Sequence, residues 1–138
     1  MLIQPPKRIS DNWGSGHYGA SRGDRKHVGV DFACYPNSAV FPEKAGRVTK
    51  VGYCYNDDLS FRYIEIEDSH GDFARYFYVE PTGAIEVGQL VYHKTILGHS
   101  QKRGDRYAGI TEHVHLETFE RKDGKKVYFD PSSYYLRK

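Results

Sequence analysis

Apolar and polar side chains alternate along residues 111–119, TEHVHLETF. Because successive side chains of an extended chain point to opposite sides, this pattern predicts a β-strand. Phe119 falls out of the strict alternation, so the strand is expected to bend or end near Thr118. Three polar side chains would share one face: His113, His115 and Glu117. The apolar side chains available to the core are Val114, Leu116 and Phe119.

Elsewhere, aromatic and β-branched residues occur in short runs separated by Gly, Pro, Asn and Asp, which is typical of an all-β chain. No long stretch has a helical period. The predicted strands are HVGVDFAC (27–34), GRVTKVGYCY (46–55), FRYIEIED (61–68) and DFARYFYV (72–79). The last two flank the turn sequence SHG and are expected to form a hairpin.

The length of 138 residues predicts a single domain over residues 1–138, large enough to bury a core. With 38% hydrophobic residues, 28% charged residues and a mean hydropathy of −0.71, the composition excludes a disordered chain. No apolar run approaches the length of a transmembrane helix. The net charge is only +2 and basic residues are interspersed with acidic ones, so no nucleic-acid partner is expected.

The first residues, MLIQPPKRISDNW, lack the apolar core of a secretory signal. A protein that works outside the cytoplasm would then need another route or a leader removed earlier. Cys34 and Cys54 either pair in an oxidising compartment or remain thiols, and their spacing does not decide between the two.

Two short motifs carry candidate metal ligands: His27 and Asp31 in HVGVD, and His113 and His115 in HVHLE. Two imidazoles and one carboxylate leave an open position on a tetrahedral zinc ion, as in catalytic zinc sites. Gly29 and its β-branched neighbours argue against a helical motif at the first pair. Each motif alone is weak, because such spacings also arise by chance; the two together favour a zinc site.

Four segments in order resemble the lysostaphin-type (LytM-type) zinc endopeptidases, which cut peptide cross-bridges in peptidoglycan: GSGHYGASRGDRKHVGVDFAC, AVFPEKAGRVTKVGY, VGQLVYHKTILGHS and HVHLE. The resemblance spans roughly residues 13–136. It implies an antiparallel, sandwich-like β fold of the duplicated hybrid motif type with one Zn²⁺ in a central groove. It also implies that His27, Asp31 and His115 bind the zinc and that His113 is a catalytic group.

One position departs from the family pattern. The family usually has a second catalytic histidine in a Y-x-H-L motif, and Tyr78 stands at that position in YFYV. With this tyrosine, GSGHYGASR and FYVEP, the chain looks most like the variant represented by vertebrate leukocyte cell-derived chemotaxin, which keeps the zinc ligands and is regarded as a binding protein. Tyr78 is either a hydrogen-bond donor in the active site or an aromatic residue packed against the cleft floor.

The expected function is zinc-dependent hydrolysis of peptide bonds in peptidoglycan cross-links, at the cell wall or in the periplasm, delivered by a phage or by a leader since removed. The alternative is a catalytically weak or inactive zinc-binding module that binds a protein, peptide or glycan. Arg22 and Arg25 lie close to His27 and either bind a substrate carboxylate or remain solvated.

Overall fold

A computed structural model of the protein describes residues 29–102 and 113–136, together with the strand pairing of residues 21–22 and 25–26. Within this part the chain forms β-strands and one 3₁₀ helix, so the all-β prediction is confirmed. The elements in order are β1 (Ser21–Arg22), β2 (Arg25–Lys26), β3 (Gly29–Ala33), β4 (Ala39–Val40), β5 (Gly46–Tyr53), β6 (Arg62–Asp68), β7 (Asp72–Phe77), β8 (Val79–Pro81), β9 (Leu90–Val91), β10 (Gly98–Ser100), β11 (His113–Lys122), β12 (Lys125–Phe129) and the 3₁₀ helix Pro131–Leu136.

A seven-stranded antiparallel sheet forms most of the described fold. Six strands follow the order β12-β11-β7-β6-β5-β9, and β3 pairs with β11 beside β12. A second sheet has the order β4-β10-β8, and β1 pairs with β2. The predicted hairpin around SHG is present as β6 and β7. No helix among the described residues is long and apolar enough to cross a membrane.

The hydrophobic core lies where the two sheets meet. It takes alternate side chains from the large sheet, since one face of each strand points inward. From β6, β7 and β11 these are Ile64, Ile66, Ala74, Tyr76, Val114 and Leu116. Val40 on β4, Val79 on β8 and Leu97 beside β10 belong to the same cluster. Cys34 and Cys54 are not joined to each other by a disulfide in the described part of the chain.

Strand β11 does not end near Thr118, so the prediction of an end at that residue is wrong. It continues to Lys122 because its second half pairs with β12, starting at Thr118 opposite Phe129. The side chains of β11 continue to point to opposite sides through Phe119, which therefore lies on the histidine face. There Phe119 is fully buried and stacks on Phe73, with ring centroids 5.1 Å apart. Both faces of β11 are therefore buried at Thr118 and Phe119, so an apolar residue can occupy either face there.

Candidate metal centre

The pairing of β3 with β11 brings two predicted zinc ligands together. Asp31 lies directly opposite His115 in the antiparallel register. The Oδ1 atom of Asp31 is 2.6 Å from Nδ1 of His115, and Asp31 is only 1% exposed. A carboxylate so completely removed from water requires a hydrogen-bonded or charged partner, and His115 supplies it.

The second ring nitrogen of His115 contacts another carboxylate. Nε2 lies 3.0 Å from Oε2 of Glu117, two residues further along the same face of β11. Burial alone would lower the pKa of His115, but the hydrogen bonds that its ring donates to Asp31 and Glu117, together with the negative charges of these carboxylates, outweigh it and raise the pKa to about 9. Without metal at neutral pH, the charged imidazole therefore donates one hydrogen bond to each carboxylate.

His113 converges on the same aspartate from the next position of this face. Its Nε2 atom is 3.4 Å from Oδ2 of Asp31, and the residue is 3% exposed. Both histidines of HVHLE thus lie against one carboxylate, and each contacts a different oxygen of Asp31.

Three predicted residues have no described side chain. His27 lies outside the described residues, and Arg22 and Arg25 are described only as paired strand residues. Within residues 29–102 and 113–136, no group of three or more His, Cys, Asp and Glu side chains that could hold a metal is found. Two of the three expected ligands, Asp31 and His115, belong to this described part.

Asp31 and His115 fit a zinc site in their chemistry. Carboxylate oxygen and imidazole nitrogen are ordinary zinc ligands. A zinc-binding histidine usually donates its other ring N–H to a carboxylate, which fixes the tautomer and the ring orientation. Glu117 stands in that position relative to His115.

Gly29 leaves the room that the His115 ring occupies. A Cβ atom at position 29 would lie 2.7 Å from Cε1 and 2.8 Å from Nε2 of His115, and 2.4 Å from the carbonyl oxygen of Leu116. These separations are shorter than contacts between real side chains allow. The glycine between His27 and Asp31 is therefore needed for the ring to lie over β3.

Tyr78 borders His113, although its backbone leaves the strand geometry. Its φ is +68°, a left-handed conformation that a bulky residue rarely adopts and that costs roughly 1–3 kcal/mol. The ring lies edge-on to His113 with centroids 5.9 Å apart. Its hydroxyl is 2.8 Å from the hydroxyl of Tyr55. The phenol thus lies beside His113, in contact with a second phenol.

Two residues of the site, Glu117 and Tyr55, were not assigned from the sequence. Strand alternation puts Glu117 on the histidine face, but nothing in the sequence links it to a ring nitrogen. Beside Glu117 in the sheet register lies Arg75, whose Nε is 2.5 Å from Oε2 of the buried Glu65. Tyr55 follows β5 in a stretch without regular structure, so no alternation of apolar and polar residues indicates where its side chain points.

The fold and the histidine–carboxylate cluster together define the class of lysostaphin-like domains. The catalytic domain of lysostaphin from Staphylococcus simulans is similar with a TM-score of 0.64 and 19% identity, over 94% of this chain and 93% of that domain. In the solution structure of whole lysostaphin the TM-score is 0.68 at 18% identity, and the chain spans 55% of that protein. A zinc-containing peptidase from Vibrio cholerae has a TM-score of 0.61 at 20% identity, over 92% of this chain and 38% of that one.

The sequence comparison assigns the chain to a family within this class of domains. The model of peptidase family M23 matches residues 25–131, and the chain belongs to that family. Leukocyte cell-derived chemotaxin-2 of Mus musculus is 29% identical over 119 residues, which covers 84% of this chain and 75% of that protein. The resemblance to lysostaphin-type domains and to the chemotaxin variant is confirmed.

We predict that Gly29→Ala weakens zinc binding at least tenfold, because the new Cβ would displace the His115 ring. Isothermal titration of the metal-free protein with zinc measures this. Gly83→Ala is the matched control, since a Cβ at position 83 meets nothing within 4 Å. Equal zinc affinity in the two folded variants would contradict the prediction.

The metal-free protein is predicted to lose stability between about pH 6.5 and pH 9. The folded state holds the His115 proton up to a pKa of about 9, against 6.5 for an unperturbed histidine. The stabilisation is therefore complete below pH 6.5 and is lost as the pH rises through the folded-state pKa. Thermal unfolding in a chelating buffer from pH 6 to pH 10 measures the decline in Tm.

Glu117→Gln should flatten this decline, because it removes one of the two carboxylates that retain the proton. Glu86→Gln changes an exposed carboxylate elsewhere and should leave the decline intact. A Tm that stays constant or rises over this range in the unsubstituted protein would show that His115 is neutral when folded.

Proposed function

We propose that this protein is a zinc-dependent metallopeptidase that hydrolyses peptide bonds in peptidoglycan cross-links, acting at the cell wall or in the periplasm. The observation that carries the proposal is the contact of Asp31 with both His113 and His115 in a chain of family M23. One histidine is then available to hold a metal, and the other to act on substrate.

We assign His27, Asp31 and His115 as the residues that would hold the zinc ion. Bound zinc would polarise a carbonyl group and lower the pKa of a water in its open position to about 7. Glu117 would keep the His115 ring oriented through Nε2. Arg22 and Arg25 are proposed to bind a carboxylate of the peptide.

His113 is proposed to accept the proton of the attacking water and later to return a proton to the leaving amine. An imidazole has an unperturbed pKa near neutrality, which suits both transfers. Oδ2 of Asp31, 3.4 Å from Nε2, would stabilise the charged imidazole formed in the first transfer. Asp31 would thus support the base as well as the metal.

Tyr78 is proposed to bind the substrate oxygen that becomes negatively charged. A phenol with an unperturbed pKa of about 10 is a poor base at neutral pH but a good hydrogen-bond donor. Its ring lies edge-on to His113, on the same side of the site. Loss of one donor of this kind typically lowers the rate by about 10²–10³-fold.

A second candidate function is a zinc-binding module of the same fold that binds a protein, peptide or glycan without cleaving it. It is favoured by Tyr78, which provides a phenol where the family usually has an imidazole. This alternative retains the metal and the groove and predicts no hydrolysis.

Incubation of the zinc-loaded protein with peptidoglycan sacculi separates the two functions. The peptidase should expose new amino groups in the sacculi. The His115→Ala variant should expose none and should also lose the bound zinc, about one ion per chain in the original protein. His93→Ala, at an exposed position, is the control and should retain both. Binding of sacculi without any release at neutral and alkaline pH, from a sample with full zinc content, would favour the binding module and contradict the peptidase.

Tyr78→His is predicted to raise the rate of cleavage by roughly 10²-fold, the lower end of the usual contribution of an acid–base group, because it adds a second imidazole that can share the proton transfers with His113 and still donate a hydrogen bond. Histidine also tolerates a left-handed backbone better than tyrosine does, so position 78 should accept it. Tyr53→His, in an exposed position at the end of β5, controls for the gain of a histidine. A Tyr78→His rate at or below that of the original protein, at equal zinc content, would show that a missing base is not what limits turnover.

A further inference from the structure

Three aromatic rings contact one another beside His113: Tyr55, Phe61 and Tyr78. Phe61 lies edge-on to both tyrosines, with ring centroids 5.9 Å from Tyr55 and 6.0 Å from Tyr78. The two tyrosine rings are 6.2 Å apart, and their hydroxyls meet at 2.8 Å. Phe61 is buried, whereas both tyrosines are half-buried. The paired tyrosines therefore have one apolar wall and are themselves partly accessible.

The backbone around Tyr78 is held by hydrogen bonds to two other segments. Its N–H donates to the carbonyl of Arg62 at 2.8 Å, and its carbonyl accepts from the N–H of Gln101 at 2.9 Å. The Gln101 side chain in turn donates to the carbonyl of Ser60 at 2.6 Å and accepts from the N–H of Arg62 at 3.0 Å. These bonds fix the left-handed corner relative to the segment that carries Phe61.

With the Tyr78 backbone fixed by these bonds and its ring packed against Phe61, the contact with the Tyr55 hydroxyl bears on the direction in which the Tyr78 hydroxyl proton points. A tyrosine hydroxyl has one proton to donate and two lone pairs to accept with. When Tyr55 donates to Tyr78, the Tyr78 proton is left to point at another acceptor. A hydroxyl that accepts a hydrogen bond also becomes a stronger donor, because the two bonds polarise each other.

We propose that Tyr55 is a positioning residue that orients the Tyr78 hydroxyl toward the substrate oxygen and strengthens it as a donor. This rests on the proposed peptidase function, in which Tyr78 contacts substrate and Tyr55 acts through Tyr78. Tyr55 would therefore matter only while Tyr78 keeps its hydroxyl.

A double-mutant cycle on the zinc-loaded full chain tests this dependence. Tyr78→Phe should lower kcat by about 10²–10³-fold, and Tyr55→Phe should lower it roughly tenfold, the size of one hydrogen bond, with KM nearly unchanged. The double variant should be no slower than Tyr78→Phe alone. Losses that multiply, or a Tyr55→Phe enzyme as fast as the original, would overturn the proposal.

Tyr53→Phe is the matched control in the same segment. Tyr53 is 49% exposed and its ring contacts Arg62, which the substitution preserves. It should leave kcat unchanged and combine independently with Tyr78→Phe.

A readout without turnover separates this inference from the proposed function. In protein with ¹³C-labelled tyrosine, the ring signals of Tyr78 should shift in Tyr55→Phe and stay in place in Tyr53→Phe. If the zinc-loaded protein cuts no peptide bond, the peptidase function fails, and the signals alone decide whether Tyr55 holds Tyr78. Signals that do not move in Tyr55→Phe would overturn the contact itself.

Discussion

The hydrogen bond between Asp31 and His115 joins residues 84 positions apart and depends on the central position of β11. Strand β11 pairs with β7 along one edge and with β3 along the first half of the other. The site therefore has a rigid floor, since residues 113–117 are hydrogen-bonded into the sheet on one or both edges. This arrangement imposes a steric requirement, because β3 passes beneath the His115 ring. Position 29 meets the requirement because glycine has no Cβ that would collide with the ring.

Charge balance follows from the same register. His115 lies between two carboxylates, and the neighbouring rung holds Arg75 between Glu65 and Glu117. Glu65 is 4% exposed and Asp31 is 1% exposed, and a basic side chain within the same sheet face compensates each carboxylate for the loss of water. A divalent cation bound to Asp31 and His115 would take the place of the proton on the His115 ring. It would bring a larger positive charge to a place that already holds the carboxylates of Asp31 and Glu117.

Alternation along the chain predicted β11 and the face that carries the histidines, and runs of aromatic and β-branched residues predicted β3, β5, β6 and β7. The short strands β4, β9 and β10 were not predicted. Alternation failed at Phe119, because the rule that only one face is buried does not hold where aromatic and basic side chains cover the second face. The meeting of Asp31 with His115 was expected from resemblance, since no local pattern reveals which distant strands pair. The left-handed conformation of Tyr78 had no local signal either, because neither glycine nor asparagine marks the corner.

The Tyr55 contact was the least predictable, and it changes how the departure at position 78 is understood. An imidazole has two nitrogens, so one can be held by the protein while the other faces substrate. A phenol has a single polar atom, which must serve both purposes through its proton and its lone pairs. A tyrosine at this position therefore needs a neighbour that donates to its oxygen without taking its proton, and a second hydroxyl can do this. In the proposed peptidase, Tyr78 would therefore bind the substrate oxygen, and the transfer of protons would fall to His113.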